Sequence, residues 1–298
     1  MLAHLLDTIP ASLRQKRVLV GPAAASRSDV RFMRLQHSLI RYRQVGERGP
    51  VIVFATDPPV LLEQYDELLE ALAGDYRVIV FEAPGFGFSL PSLGFNFGMD
   101  RMLDSLTEFL ERLAVRECTL AFPCVLGFVA IGLGHRLERI VKRVVVMQQP
   151  DWSGAQQWRE GRDPKGILQT PVVGQLAMHA LKKARMKQWF FAAVAEHGDP
   201  SPYVDHAHWG FDHGACFCLA SGFQAFLGAA HSPVAPLNTP ALAVWGMADR
   251  SHRKTIPETT LNLLPNASLV KIDKAGHFPE LETAAEFTGH LRAFLEGT

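Results

Sequence analysis

The stretch Thr119-Leu120-Ala121-Phe122-Pro123-Cys124-Val125-Leu126-Gly127 decides how this chain is read. Thr119 to Phe122 is a short apolar run of the kind that forms a buried strand. Val125 to Leu137 reads as a helix, and Arg143 to Met147 as the next strand. A strand, a sharp turn and a helix, with a nucleophile at the turn, lift the reactive atom above a sheet. The positive end of the helix then faces that atom, which favours a thiolate or an anion formed beside it. Cys124 holds that position.

Outward from this turn, strand and helix patterns alternate. Arg31 to Ser38 and Leu39 to Val45 alternate polar and apolar residues and pair as an early hairpin. Gly46 to Pro50 is a turn, and Val51 to Phe54 a buried strand. Leu61 to Leu72 carries leucines at 61, 62, 68, 69 and 72, a helical period. Arg77 to Phe81 is a strand and Met99 to Leu113 a helix with an apolar face. Pro240 to Trp245 and Ser268 to Ile272 are the last strands, and Ala284 to Leu295 is the closing helix. Residues 1–30 read as an amphipathic or irregular leader. Between Pro150 and Asn238 the alternation stops, in a segment rich in Ala, Trp, Phe and His, helical near Gly174 to Glu196 and Cys216 to Ala230. The fold class expected is α/β: a mostly parallel central sheet covered by helices on both faces, with a helical cap insertion. Residues 1–149 form the first part of the core, 150–238 the cap, and 239–298 the second part.

The 298 residues suffice for one large domain with an insertion, and 48% of them are hydrophobic. Lys plus Arg and Asp plus Glu number 30 each, so nothing directs the chain to nucleic acid or an anionic membrane surface. No apolar run reaches the roughly 18–20 residues that span a bilayer, so no membrane insertion is expected. Met1 to Leu6 lacks the basic start and long apolar middle of a signal peptide. Cysteines at 118, 124, 216 and 218 form no disulfide framework, and a reducing cytoplasm is the expected location. Cys118 is placed in the core. His206, His208, His213, Cys216 and Cys218 cluster in the cap segment without a zinc spacing, so no metal is expected. There they read as a loop in which Trp209, Phe211 and Phe217 pack on the core. No Gly-x-Gly-x-x-Gly loop follows the first buried strand, which argues against a dinucleotide. No cofactor is expected.

Four further stretches carry a family resemblance. They are Ala55-Thr56-Asp57-Pro58, Glu82-Ala83-Pro84-Gly85-Phe86-Gly87-Phe88-Ser89, Val244-Trp245-Gly246-Met247-Ala248-Asp249 and Lys274-Ala275-Gly276-His277-Phe278-Pro279. With the turn at Cys124 they stand in the order of an α/β-hydrolase, which the chain resembles over most of its length. The resemblance implies a triad of Cys124 as nucleophile, Asp249 as acid and His277 as base. It implies an oxyanion hole of the Val125 and Asp57 backbone N–H groups. Thr56, Phe122, Trp209, His208 and Phe278 are the substrate-lining candidates.

The chain departs from the family twice. Small residues belong two before and two after the nucleophile, but Phe122 and Leu126 stand there, and Pro123 precedes the cysteine. Ala55-Thr56 replaces the usual His-Gly, and Asp57 follows. Its ionised side chain, turned inward, would repel a thiolate and an oxyanion. Asp57 therefore points away, or is protonated and donates, or serves chemistry that bypasses an ordinary oxyanion.

Dehalogenase and epoxide hydrolase relatives carry an aspartate nucleophile that forms an alkyl ester. A cysteine suits acyl chemistry instead: hydrolysis or transfer on an apolar ester or thioester. Two alternatives remain open. One is a lyase, cyclase or hydratase using Cys124, His277 and Asp57 as acid–base groups; the other is a non-catalytic ligand-binding relative. The partner expected is a small apolar acyl molecule, the assembly a monomer or homodimer.

Overall fold

A computed structural model describes residues 2–297. Strands β1 (Val30–Arg34), β2 (Ser38–Val45), β3 (Val51–Ala55), β4 (Arg77–Phe81), β5 (Cys118–Pro123), β6 (Val141–Met147), β7 (Ala241–Gly246) and β8 (Ala267–Ile272) build one sheet. Their spatial order is β1-β2-β4-β3-β5-β6-β7-β8, and a two-residue strand, Leu90–Pro91, pairs with β2. β2 is antiparallel to both neighbours, and every pair from β4 to β8 is parallel. Every residue of β5 and β7 is buried, as central strands covered on both faces require.

The helices of seven residues or more are α1 (Leu5–Val20), α2 (Asp66–Leu72), α3 (Met99–Arg112), α4 (Leu126–Arg136), α5 (Trp152–Arg162), α6 (Val173–Ala193), α7 (Ser201–Asp212), α8 (Leu219–Ala225) and α9 (Ala284–Gly297). α3 buries Met102, Leu103, Leu106, Phe109 and Leu110, one face at helical spacing. α4 is buried from Leu126 to Gly134 and runs beneath the sheet's centre.

Three segments differ from the sequence expectation. The leader contains a sixteen-residue helix, α1, anchored through buried Asp7, which accepts from Ser221 Oγ (2.7 Å) and lies 3.1 Å from His179 Nε2. The segment between β6 and β7 holds α5 and α7 besides the expected helical stretches. Cys216–Phe217 is a short strand pairing with Phe86–Gly87, so α8 starts only at Leu219. The Phe86 and Phe217 rings meet edge to face, 5.8 Å apart, and hold this crossing together.

The Glu82–Ser89 turn is locked by a buried cation. Arg41 pairs with Glu82 (2.9 Å) and with Glu63, and its guanidinium lies 4.9 Å from the Phe88 ring centroid. Burial, opposed by Arg41 and aided by Glu63, pushes Glu82 up to about 7. Among the described residues, no helix is long and apolar enough to cross a membrane.

Candidate active site

Four loops leave the C-terminal ends of neighbouring parallel strands and converge, the usual place for a site in such a sheet. β5 delivers Cys124, β7 Asp249, β8 His277 and β3 Asp57.

Cys124 sits at the tip of the turn with φ +47°, in the left-handed region. For a non-glycine residue that conformation costs about 1–2 kcal/mol, offset here by fixed backbone bonds. Its N–H donates to Met147 O (2.7 Å), and Gly127 N–H donates to Cys124 O (3.0 Å). The bulky neighbours are accommodated by direction. Phe122 points into the core against Phe81, with ring centroids 5.4 Å apart, and Leu126 faces a cavity. Gly127 leaves room for buried Gln149, whose Oε1 would lie 1.7 Å from a Cβ there.

His277 is fully buried. Its Nδ1 lies 2.6 Å from Asp249 Oδ2, and its Nε2 lies 2.8 Å from Asp57 Oδ2. The second contact is close but off-line: neither Nε2 nor that Oδ2 has an aligned hydrogen bond among the described residues. The backbone N–H of His277 donates to Ala193 O (2.8 Å), at the end of α6. Gly276 permits this approach, since a Cβ there would lie 2.4 Å from that same carbonyl oxygen.

Asp249 accepts from Ser251 N–H (2.7 Å to Oδ1) and Gln148 Nε2 (2.7 Å to Oδ2). Gln148 in turn accepts from Gly246 N–H (2.7 Å), which ties the acid loop to the end of β6. Burial opposes the Asp249 charge, but His277, His252 and Ser251 outweigh it and hold its carboxyl well below the usual range. Burial likewise opposes an imidazolium at His277, yet Asp249 and Asp57 together hold it protonated well above the ordinary histidine range.

The thiol behaves differently from the sequence expectation. Burial and then the Asp57 charge push Cys124 up, against the pull of His277 and of the Val125 N–H. The helix end does not offset burial and Asp57, so the surroundings favour the neutral thiol at Cys124 and the charged imidazole at His277. Asp57 turns inward, the orientation the sequence left undecided.

Sequence reasoning missed His252. It lies three residues after Asp249, in a 3₁₀ turn (Arg250–His252) that carries it back over the site. Its Nε2 is 4.0 Å from Cys124 Sγ, its Nδ1 is 3.1 Å from Thr255 Oγ1, and its ring stacks on Trp158 at 5.6 Å. Burial pushes it down to about 3, opposed by the Asp249 charge and aided by His277 and Arg162. It is a neutral imidazole facing the sulfur. Cys124, His252 and His277 have donor atoms within 4.8 Å of one another. An ion there would have to displace the proton that the two carboxylates favour on His277.

A cavity of about 170 Å³ opens onto these groups, walled by Asp57, Pro58, Cys124, Trp158, Arg162 and Trp189 among others. It shares Val125, Leu126 and Phe223 with an adjoining apolar recess of about 70 Å³ that reaches Phe97, Met102 and Phe226.

The five substrate-lining candidates lie outside that wall. Thr56 is buried, its N–H bonded to Phe81 O (2.9 Å). Phe122 belongs to the sheet core. Phe278 backs the His277 ring at 5.2 Å. Trp209 packs on Phe88 at 5.6 Å, and His208 Nε2 lies 3.2 Å from Lys183 O. The physical reason is α7, which turns Val204, Ala207 and Gly210 inward and leaves His208 and Trp209 to its sides. The side chains from between β6 and β7 that do reach the cavity come largely from α5 and α6: Trp158, Arg162, Met178, Met186 and Trp189. The His206–Cys218 cluster is not gathered into a ligand set. His206 and His213 lie 2.8 Å from the carbonyl oxygens of Pro202 and Trp209, four residues back.

Residues 54–289 match the Alpha/beta hydrolase family. The chain belongs to that family. Over 77 residues this α/β hydrolase is 29% identical to an uncharacterized hydrolase of Saccharomyces cerevisiae, an overlap of 26% of this chain and 27% of that protein. It is 20% identical over 300 residues to Epoxide hydrolase 1 of Caenorhabditis elegans, covering 95% of this chain and 74% of that protein. The solved structure of the enol-lactonase from Burkholderia xenovorans LB400 matches with TM-score 0.66 and 20% identity, covering 89% of this chain and all of that one (100%). At such identities the structural likeness speaks to the fold.

Proposed function

We propose that this α/β hydrolase is a cofactor-independent enzyme of acyl chemistry, in which Cys124 attacks the acyl carbon of a small to medium apolar ester, thioester or lactone. The observation that carries the proposal is the left-handed Cys124 at the turn, on the cavity wall and with a His277 ring nitrogen within 4.8 Å of its sulfur. The enol-lactonase shares the fold, and the lactone chemistry in its name is of the acyl kind proposed here. The epoxide hydrolase likeness is harder to carry over, because a thiol stands in the place of a carboxylate nucleophile.

The resting protonation state sets the steps. The thiol proton moves to His277 Nε2 as Nε2 passes its own proton to Asp57. A carboxylate is thereby exchanged for a thiolate beside one cation, so no new buried charge is created. Sγ bonds to the acyl carbon, and the carbonyl oxygen becomes an oxyanion facing the Val125 N–H. The imidazolium protonates the leaving oxygen or sulfur, whose bond to the acyl carbon breaks, and a thioester remains on Cys124. Neutral His277 then takes a proton from water, or from an alcohol or amine, as that acceptor attacks the thioester. The thiolate released regains its proton from Asp57 through Nε2.

A panel of p-nitrophenyl acyl esters and acyl thioesters, followed by intact-protein mass spectrometry, tests this. We expect an acyl adduct in the wild type, none in Cys124→Ala, and a loss of at least about a thousandfold in turnover in that variant. Full turnover by Cys124→Ala would refute the proposal.

Asp57 so near Nε2 favours a second reading, in which the Asp57–His277 pair shuttles protons in a lyase, cyclase or hydratase reaction. Products formed without cleavage of an acyl bond would support it.

A further inference from the structure

Arg162 has no use in the scheme above, and its surroundings are unusual. It ends α5 and lies on the cavity wall with Cys124. Its Nη2 is buried without a hydrogen-bond partner, and no ion pair reaches it among the described residues. Its one ring contact is the Trp158 face, 5.9 Å away. The two buried arginines, Arg41 and Arg43, are each met by two carboxylates. Arg162 is half-buried, and a guanidinium partly withdrawn from water without a counter-ion is unfavourable, which an anionic ligand group relieves.

The nearby acids are already engaged: Asp249 by His277, Ser251 and Gln148, and Asp57 by His277. Asp249 and Cys124 nevertheless lie close enough to act on the guanidinium charge, which places it within electrostatic reach of the sulfur. Arg185, exposed, adds a second positive charge to the same wall. Most of the remaining wall is apolar, and the recess toward Phe97 and Phe226 carries no charge.

We infer that Arg162 is the anchor for a carboxylate on the substrate, so that the preferred acyl compound is an acid as well as an ester, thioester or lactone. The carboxylate pairs with Arg162, the acyl carbon rests at Cys124, and the apolar remainder enters the recess. This rests on Cys124 being the reactive group, and the test separates the two.

Iodoacetate and iodoacetamide alkylate the same thiol and differ in one charge. Their second-order rate constants at Cys124, measured by peptide mass spectrometry at low salt, give a ratio comparable with that of glutathione under the same conditions. We expect the wild-type ratio of iodoacetate to iodoacetamide to exceed the glutathione ratio at least tenfold. Arg162→Gln should bring it within about twofold of glutathione, Arg162→Lys should retain much of the preference, and added salt should erode it. A wild-type ratio no higher than that of glutathione would overturn the inference. So would an unchanged ratio in Arg162→Gln, which would assign the preference to His277. If neither reagent labels Cys124, the nucleophile proposal fails and this one falls with it.

Discussion

Asp57 decides the protonation of the site at the scale of single residues. Its carboxylate lies 2.8 Å from His277 Nε2 and acts on the Cys124 thiol as well. Replacing it by Asn removes a cause that raises the thiol and one that raises the imidazole. The thiolate then becomes the second anion beside the imidazolium. For Asp57→Asn we predict that the apparent midpoint of Cys124 alkylation falls by about one unit or more, while acyl turnover drops because the proton has lost its resting place. An iodoacetamide pH profile measures the first effect, and an unchanged midpoint would contradict it. Cys124, Asp249 and His277 were legible in the sequence because each stands in a local motif in family order. His252 and Gln148 were not, since one arrives through a 3₁₀ turn and the other through a side chain crossing from β6 to the acid loop.

Between elements, the C-terminal end of α6 and the histidine loop meet backbone to backbone. A Cβ at Gly276 would lie 2.4 Å from Ala193 O and 2.5 Å from Ala195 N, and no side-chain rotation relieves that. Gly276→Ala should cost about 1–3 kcal/mol, a melting-temperature loss of several degrees read by calorimetry. Turnover should fall further than that, because the His277 N–H bond to Ala193 O is disturbed. A variant as stable and active as wild type would show that the α6 contact does not position His277. The sheet strands could be read from their apolar runs, but α5 could not. Trp152, Gly154 and Ala155 are its buried residues, and its one strong sequence signal is the cap, where Asp151 Oδ1 accepts from Gly154 N–H (2.8 Å). Cys216–Phe217 became a strand through pairing with Phe86–Gly87, a distant partner that local periodicity does not report.

For the whole molecule, the equal numbers of opposite charges conceal buried acids that link stability to pH. Glu280 is fully buried and takes a hydrogen bond from Tyr65 (3.2 Å). Burial, resisted by its backbone and helped by the Asp57 charge, pushes it up to about 8. The folded state therefore binds a proton that the unfolded chain releases near 4.5. The stability this contributes is full below that value and is lost as pH rises through about 8. Glu280→Gln should flatten that decline, so its melting temperature should fall less than wild type's between about pH 5 and 9. Parallel curves would contradict the assignment. At this scale the α/β architecture and an insertion before the acid strand were visible from element order alone. The cavity wall was not, because which faces of α5, α6 and α7 turn inward depends on how the helices between β6 and β7 pack.

The pH dependence of Cys124 alkylation in wild type and His277→Ala bears most directly on the claim that thiol and imidazole act as one unit. His277 opposes the burial that raises the thiol. Without it the midpoint should rise by about one unit or more, and the neutral-pH rate should fall about tenfold or more. Identical profiles in the two proteins would make Cys124 a packing residue of the turn and contradict the account.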